Sequence, residues 1–272
     1  MPEIAEVRTV KSVLKKNLVG RTINNIIYKY PGIIKSDKDE FKNILIGRTI
    51  SDVDNFGKWI FIKLGEYTIL SHLRMEGKYY IKDRNEEYEK HEHIIFELDN
   101  SKDLRYKDVR KFGVMMLVKT SDIYNTDEIN KLGIEPDSKD LTSDYIYNKI
   151  HKSNKPIKEL LLDQSIINGL GNIYVDEVLF ASGIMPTRLG NKVTLKECEA
   201  IKNSCYDIIT KATKEGGTTI RSYTSSLGVE GNYQNYLKVH TKAKQPCLIC
   251  GTIIEKTRVG GRGTYYCKNC QK

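Results

Sequence analysis

Two groups of residues in this chain have the types and spacing to do chemistry. The first is Cys247-x2-Cys250 followed, after sixteen residues, by Cys267-x2-Cys270. Each pair can sit on a tight knuckle, so that four thiolates converge on one metal with the tetrahedral geometry zinc prefers. Sulfur would then fill every coordination position and leave none for a catalytic water, so the expected cofactor is one structural Zn2+. Two disulfides are the alternative, and they are rare in a reducing cytosol. The second group is the N-terminal run MPEIAEV. If Met1 is removed, Pro2 carries a secondary amine, a nucleophile no internal residue can supply. A free α-amino group titrates at about 7.7 to 8.0, so a useful fraction is neutral at cellular pH. Glu3 and Glu6 stand beside it, where first-turn acids also favour a helix N-terminus through the helix dipole.

Both groups depend on elements that hold them in place. Ile4, Val7, Val10, Leu14 and Leu18 recur at helical spacing and Gly20 follows as a stop, so the acids lie at the head of an amphipathic helix. From Thr22 to about Val118 the runs KWIFIKL, YTILSHL, HIIFEL and GVMMLV alternate with Gly, Asn and Asp turn signals, which predicts a closed or two-layer antiparallel sheet. LGIEPDSKD reads as a linker. Helical patterns follow in TSDYIYNKIHK, PIKELLLDQ and NIYVDEVLFASG, and from about Thr194 to Lys214. In that last helix Cys198 and Cys205 lie on one face and read as buried structural thiols. Gly169 and Gly171 predict sharp turns before a helix that begins at Asn172, whose amides could receive a phosphate. Within the cysteine module TIIEKTRVGGRGTYYC alternates like a hairpin bent at Gly260-Gly261, which holds Arg262 out on a finger.

Composition narrows the function classes. The 272 residues carry 44 Lys and Arg against 35 acids, a formal charge of +9 that favours polyanionic partners. No apolar run approaches a membrane span, and the N-terminus lacks the layout of a signal peptide, so a cytoplasmic protein is expected.

PEIAEV, FGKW, SHLRMEGKY, DVRKFG, LLDQSIINGLGNIYVDEVLFASGI and the terminal CLICG and GGRGTYYCKNCQ, taken together and in order, resemble bacterial formamidopyrimidine-DNA glycosylase. The resemblance spans almost the whole chain. It implies an α+β fold: an N-terminal antiparallel β-sandwich led by a helix, then a helical helix-two-turn-helix domain with a C-terminal zinc-finger β-hairpin. The expected divisions are 1–130 for the catalytic sandwich, 131–141 for a linker, 142–236 for the helix-two-turn-helix domain and 237–272 for the finger. It further implies a monomer that binds double-stranded DNA containing oxidised purines, excises 8-oxoguanine and formamidopyrimidines, and cuts the strand by β,δ-elimination.

Residue by residue, the resemblance makes Pro2 the nucleophile, Glu3 the general acid and base, Glu6 a supporting acid, and Lys58 and Arg262 catalytic groups at the lesion's phosphates. Flipping a nucleotide out costs a few kcal/mol and leaves a hole in the stack. Met75, Arg110 and Phe112 match the three side chains that fill it. Asn172 grips phosphate beside Arg262, His72, Lys158 and Tyr174 line the strand path, and Tyr223 belongs to the loop over the extruded base. The chain departs from the family pattern at Ala5, where proline is usual, and at Lys111, where arginine is common; neither removes a catalytic group. Two rivals stand beside this assignment. An endonuclease VIII-type glycosylase would lack the complete Met75, Arg110 and Phe112 trio, and a non-catalytic zinc-ribbon DNA-binding protein would leave Pro2, Glu3 and Lys58 unexplained.

Overall fold

The computed structural model describes residues 1–218 and 231–272, which form two compact units. Of the described residues, the first contains 1–130, 216–218 and 231; the second contains 131–215 and 232–272.

The first unit opens with α1 (Ile4–Leu18), whose buried face carries Ile4, Val7, Val10, Leu14 and Leu18 as the periodicity predicts, with Ala5 buried beside them. Each large apolar side chain buried there contributes roughly 1.5–3 kcal/mol. The helix stops where Gly20 turns into the left-handed region (φ +83°) and its N–H pairs with the Ile50 carbonyl. Then come β1 (Ile23–Tyr28), α2 (Lys38–Leu45), β2 (Asp52–Phe56), β3 (Trp59–Leu64), β4 (Tyr67–His72), β5 (Lys78–Asp83), β6 (Glu92–Leu98), β7 (Lys102–Lys107) and β8 (Val114–Lys119). They form two four-stranded antiparallel sheets, ordered β1-β6-β7-β5 and β2-β3-β4-β8. One apolar core takes Ile26, Phe96 and Tyr79 from the first sheet and Val53, Ile62 and Ile69 from the second, so the pair is a β-sandwich. α1 lies against β2.

The second unit contains α3 (Ser143–Ile150), α4 (Ile157–Leu162), α5 (Asn172–Ala181), α6 (Leu195–Lys214), β9 (Glu255–Val259) and β10 (Arg262–Tyr266). α6 starts with a reciprocal cap: the Thr194 hydroxyl accepts from the Glu197 N–H (3.3 Å) and Glu197 Oε2 accepts from the Thr194 N–H (2.8 Å). Cys198 and Cys205 are buried on its inner face, and burial pushes the Cys198 thiol up to about 12. Both are structural thiols, as their spacing suggests. Between α4 and α5 the chain turns at Gly169 (φ +103°), whereas Gly171 is extended (φ −132°). Only the first of those two glycines uses its conformational freedom. No described helix is long and apolar enough to cross a membrane.

Candidate active site and nucleic-acid interface

In the first unit the N-terminal turn is clamped by Glu6. Its Oε2 accepts from the Glu3 N–H (2.9 Å), and its Oε1 accepts from the N–H (2.6 Å) and hydroxyl (3.0 Å) of Thr218. Glu6 is therefore fully engaged in holding Pro2 and Glu3 in place and in anchoring the segment that returns to this unit after α6. A Cβ on Gly217 (φ +79°) would meet Glu6 Oε1 at 2.6 Å, so glycine is required for this approach. Pro2, Glu3 and Glu6 are all buried, while Met1 ahead of them is exposed. Thr218 is a partner that sequence reading misses, because 212 positions separate it from Glu6 and nothing local marks it.

Lys58 occupies the second place of the two-residue turn that joins β2 to β3, after Gly57 (φ +54°), with Phe56 paired to Trp59. A glycine first in such a turn suits the twist of a hairpin. The lysine is buried, 5% exposed, which sets it apart from an ordinary solvated turn residue. His72 ends β4 with its ring edge-on to Trp59 (4.9 Å). Burial, reinforced by the Arg74 and Lys58 charges, lowers its pKa to about 3, so it is neutral. Its Nδ1 accepts from the Arg74 N–H (3.0 Å), which leaves the ring proton on Nε2 as a donor.

The three expected void fillers sit on two loops with backbone in the left-handed region. Arg74 (φ +52°) precedes half-buried Met75, and Lys111 (φ +57°) separates exposed Arg110 from exposed Phe112. The Arg110 guanidinium lies 4.7 Å from the Phe112 ring centroid, so those two fillers are stacked. Phe112 is 53% exposed. A core phenylalanine is thereby excluded, and an aromatic held in water at a loop tip is suited to insertion.

In the second unit the four cysteine ligand atoms lie within 4.8 Å of one another, with Sγ–Sγ distances of 3.8 Å for Cys247 and Cys270 and 3.5 Å for Cys250 and Cys267. A disulfide is about 2.05 Å long. A tetrahedral site with metal–sulfur bonds of about 2.3 Å has edges of roughly 3.8 Å, so the residues fit a structural metal. Beside it β9 and β10 turn at Gly260 (φ +54°) and Gly261 (φ +72°), as the sequence predicts, and Arg262 is exposed just past the bend.

What holds this finger differs from expectation. Lys158 and Tyr174, expected along the strand path, are both 0% exposed, with their side chains engaged inside the second unit. Lys158 Nζ pairs with Asp176 Oδ1 (2.7 Å) and donates to the Gly263 carbonyl (3.0 Å), while Tyr174 packs near Tyr233 at 5.8 Å. Asn172, partly buried, also donates to the Gly263 carbonyl (2.9 Å). Asp176 Oδ2 receives His240 Nδ1 (2.7 Å) and the Tyr265 N–H (3.4 Å), and Glu177 accepts three successive N–H groups from Lys238, Val239 and His240. The sequence does carry a signal for this pair, since two adjacent acids interrupt an otherwise apolar helix, NIYVDEVLFA. Tyr223 lies outside the described residues.

Comparisons with known proteins agree with this geometry. Residues 1–115 match the model of the formamidopyrimidine-DNA glycosylase N-terminal domain, 132–224 match that glycosylase's H2TH domain, and 244–272 match the zinc finger found in FPG and IleRS. The chain is 44% identical over 273 residues to formamidopyrimidine-DNA glycosylase from Bacillus anthracis, covering 100% of this chain and 99% of that protein. It is 42% identical to the Listeria monocytogenes protein of the same name, with both chains fully covered. A Lactococcus lactis FPG mutant in complex with Fapy-dG-containing DNA superposes with a TM-score of 0.95 at 38% identity, over 100% of each chain. The same organism's Fpg in complex with DNA containing an abasic site gives 0.94 at 38% identity over 99% of each.

Proposed function

The chain belongs to the formamidopyrimidine-DNA glycosylase family, and from that premise we propose that it is a base-excision repair enzyme that removes oxidised purines from duplex DNA and cuts the strand through a Schiff base on Pro2. The observation that carries the mechanism is the Glu6 clamp, which supports a fixed N-terminal turn with Pro2 and Glu3 side by side. With Met1 removed, the Pro2 nitrogen attacks C1′, the bond from C1′ to the base nitrogen breaks, and Glu3 supplies the proton the departing base needs. The ammonium proton is then lost, the C1′–O4′ bond breaks as O4′ takes up a proton, and the opened sugar is an iminium that withdraws electrons from C2′. Loss of a C2′ proton expels the 3′ phosphate, and a second elimination expels the 5′ phosphate.

In the first unit Lys58 meets the lesion's phosphate, with neutral His72 donating from Nε2; in the second unit Arg262 and Asn172 grip phosphate. Met75, Arg110 and Phe112 occupy the vacated stack. Lys158 and Tyr174 act from within the fold, where Lys158 fixes the strand that begins with Arg262. The metal is zinc, and its part is to shape the finger. The enzyme works as a monomer in the cytoplasm.

The test is intact mass followed by borohydride reduction on an 8-oxoguanine:C duplex. The mature protein should lack Met1 and be trapped through Pro2. Pro2→Gly should bind the duplex with wild-type affinity and lose strand cleavage. Absence of any adduct, or full-rate cutting by protein that retains Met1, overturns the mechanism.

A further inference from the structure

The loop that carries Arg110 and Phe112 runs from the end of β7 at Lys107 to the start of β8 at Val114. An exposed phenylalanine on a short loop is driven towards the nearby core, so something must hold this one out. The structure supplies a buried carboxylate at the loop's base. Asp108 is 0% exposed, and its two carboxylate oxygens accept from opposite ends of the loop: Oδ1 from the Arg110 N–H (3.0 Å) and Oδ2 from the Gly113 N–H (2.8 Å).

Its main chain is engaged as well. The Asp108 N–H donates to the His91 carbonyl (3.1 Å), and its carbonyl accepts from His93 Nε2 (2.8 Å) and the Lys111 N–H (3.3 Å). Burial lowers the His93 pKa, so the ring is neutral and donates through its one ring proton. The loop so gripped carries Lys111 in the left-handed region, a conformation that costs a non-glycine residue energy and persists only where its surroundings impose it. It also passes so close to buried Tyr106 that a Cβ on Gly113 would lie 1.7 Å from the phenol oxygen.

We infer that Asp108 is the positioning residue that sets the Arg110–Phe112 wedge into its inserting shape before DNA arrives. The carboxylate closes a ring between residues 108 and 113, His93 fixes that ring to β6, and the two wedge side chains are left stacked and facing water. Ordering the loop in advance removes that entropy cost from the flipping step, where wedge insertion has to compensate for lost base stacking. The inference rests on the glycosylase function proposed above.

The test uses the full zinc-loaded chain with Asp108→Ala and Asp108→Asn. A duplex bearing a tetrahydrofuran abasic analogue opposite 2-aminopurine reports wedge insertion by fluorescence without any catalytic step. At saturating protein, Asp108→Ala should lose most of the wild-type response, and Asp108→Asn, which keeps one acceptor oxygen, should fall between. Single-turnover excision from an 8-oxoguanine:C duplex should drop at least tenfold in Asp108→Ala, while cleavage of a single-stranded abasic oligonucleotide, which has no stack to fill, should drop less than threefold. A wild-type fluorescence response in either variant, or parallel loss on both substrates, overturns the inference. If Asp108→Ala fails to fold, the Asp108→Asn response alone decides. Failure of the glycosylase function looks different: wild-type protein that gives the fluorescence response and never releases the base.

Discussion

Two hairpins of this protein present a cation at a two-residue turn containing glycine, and they are held by unlike means. The β2–β3 turn carries Lys58 inside a four-stranded sheet, with β3 paired on both edges and the strands packed on the sandwich core. Its lysine is buried without help from a metal. The β9–β10 turn presents Arg262 from a sheet of two strands, which is marginal by itself in water. That finger is stabilised from outside, by four cysteines on one side and by Lys158, Asn172 and Asp176 on the other. A Cβ on Gly260 would come 2.6 Å from Glu159 Cγ, so the tip leans directly on α4. A hairpin inside a sheet inherits its geometry; an isolated one has to be tied down.

The comparison breaks most sharply at Asp176. Asp176→Ala removes the acceptor for Lys158, His240 and the Tyr265 N–H together and takes from a buried ammonium the carboxylate it pairs with, an event that costs about 3–5 kcal/mol. Urea unfolding should show that loss in the second unit's transition and leave the sandwich transition in place. Adding Lys158→Met should recover part of it, because the buried charge that lost its carboxylate is gone. If Asp176→Ala unfolds like the wild type, the buried network does not hold the finger.

Metal removal comes next in size. Chelation, or Cys267→Ser, should weaken binding to lesion duplex by on the order of a hundredfold, about 2.7 kcal/mol, because Arg262 loses its fixed place. The same treatment should leave the β2–β3 hairpin and its Lys58 unmoved, which amide exchange of residues in β3 would report. Metal-free protein that binds as tightly as the holo form would place the affinity elsewhere.

The contrast also explains what is legible in the sequence. The finger's turn, its cysteine spacing and the α1 face are local patterns: Gly260-Gly261, two Cys-x2-Cys pairs, and apolar residues from Ile4 to Leu18 at helical intervals. Each is written in consecutive residues, and the structure places each as expected. Lys158 and Tyr174 differ from expectation because burial is not a local property. A lysine near the start of a short helix looks solvated until Asp176 and the Gly263 carbonyl close over it, and Gly263 lies 105 residues away. The Glu6–Thr218 bond spans even more chain. Asp108 stands in DVRKFG without any mark of its role, because a turn aspartate is common and the use of both its oxygens inside one loop is a property of the folded backbone.

The smallest effect separates the two hairpins by pH. Among the described residues His72 pairs with no acid; it is packed against Trp59 beside the β2–β3 turn, and burial takes its pKa down to about 3. Unfolded, the ring titrates near about 6.5, so above that pH it is neutral in both states and its contribution to stability is fully present. As pH falls below about 6.5 the unfolded chain takes up a proton, one that the folded chain refuses until about pH 3, and stability is lost across that window. Between about pH 7 and pH 5.5 the loss should be about 1 kcal/mol, in the sandwich transition alone. His72→Gln keeps a donor and cannot titrate, so its sandwich transition should be flatter over the same range. An equal acid slope in the variant and the wild type would mean that His72 takes up its proton in the fold as readily as in the unfolded chain, and the neutral donor role given to its Nε2 would then hold only above about pH 6.5.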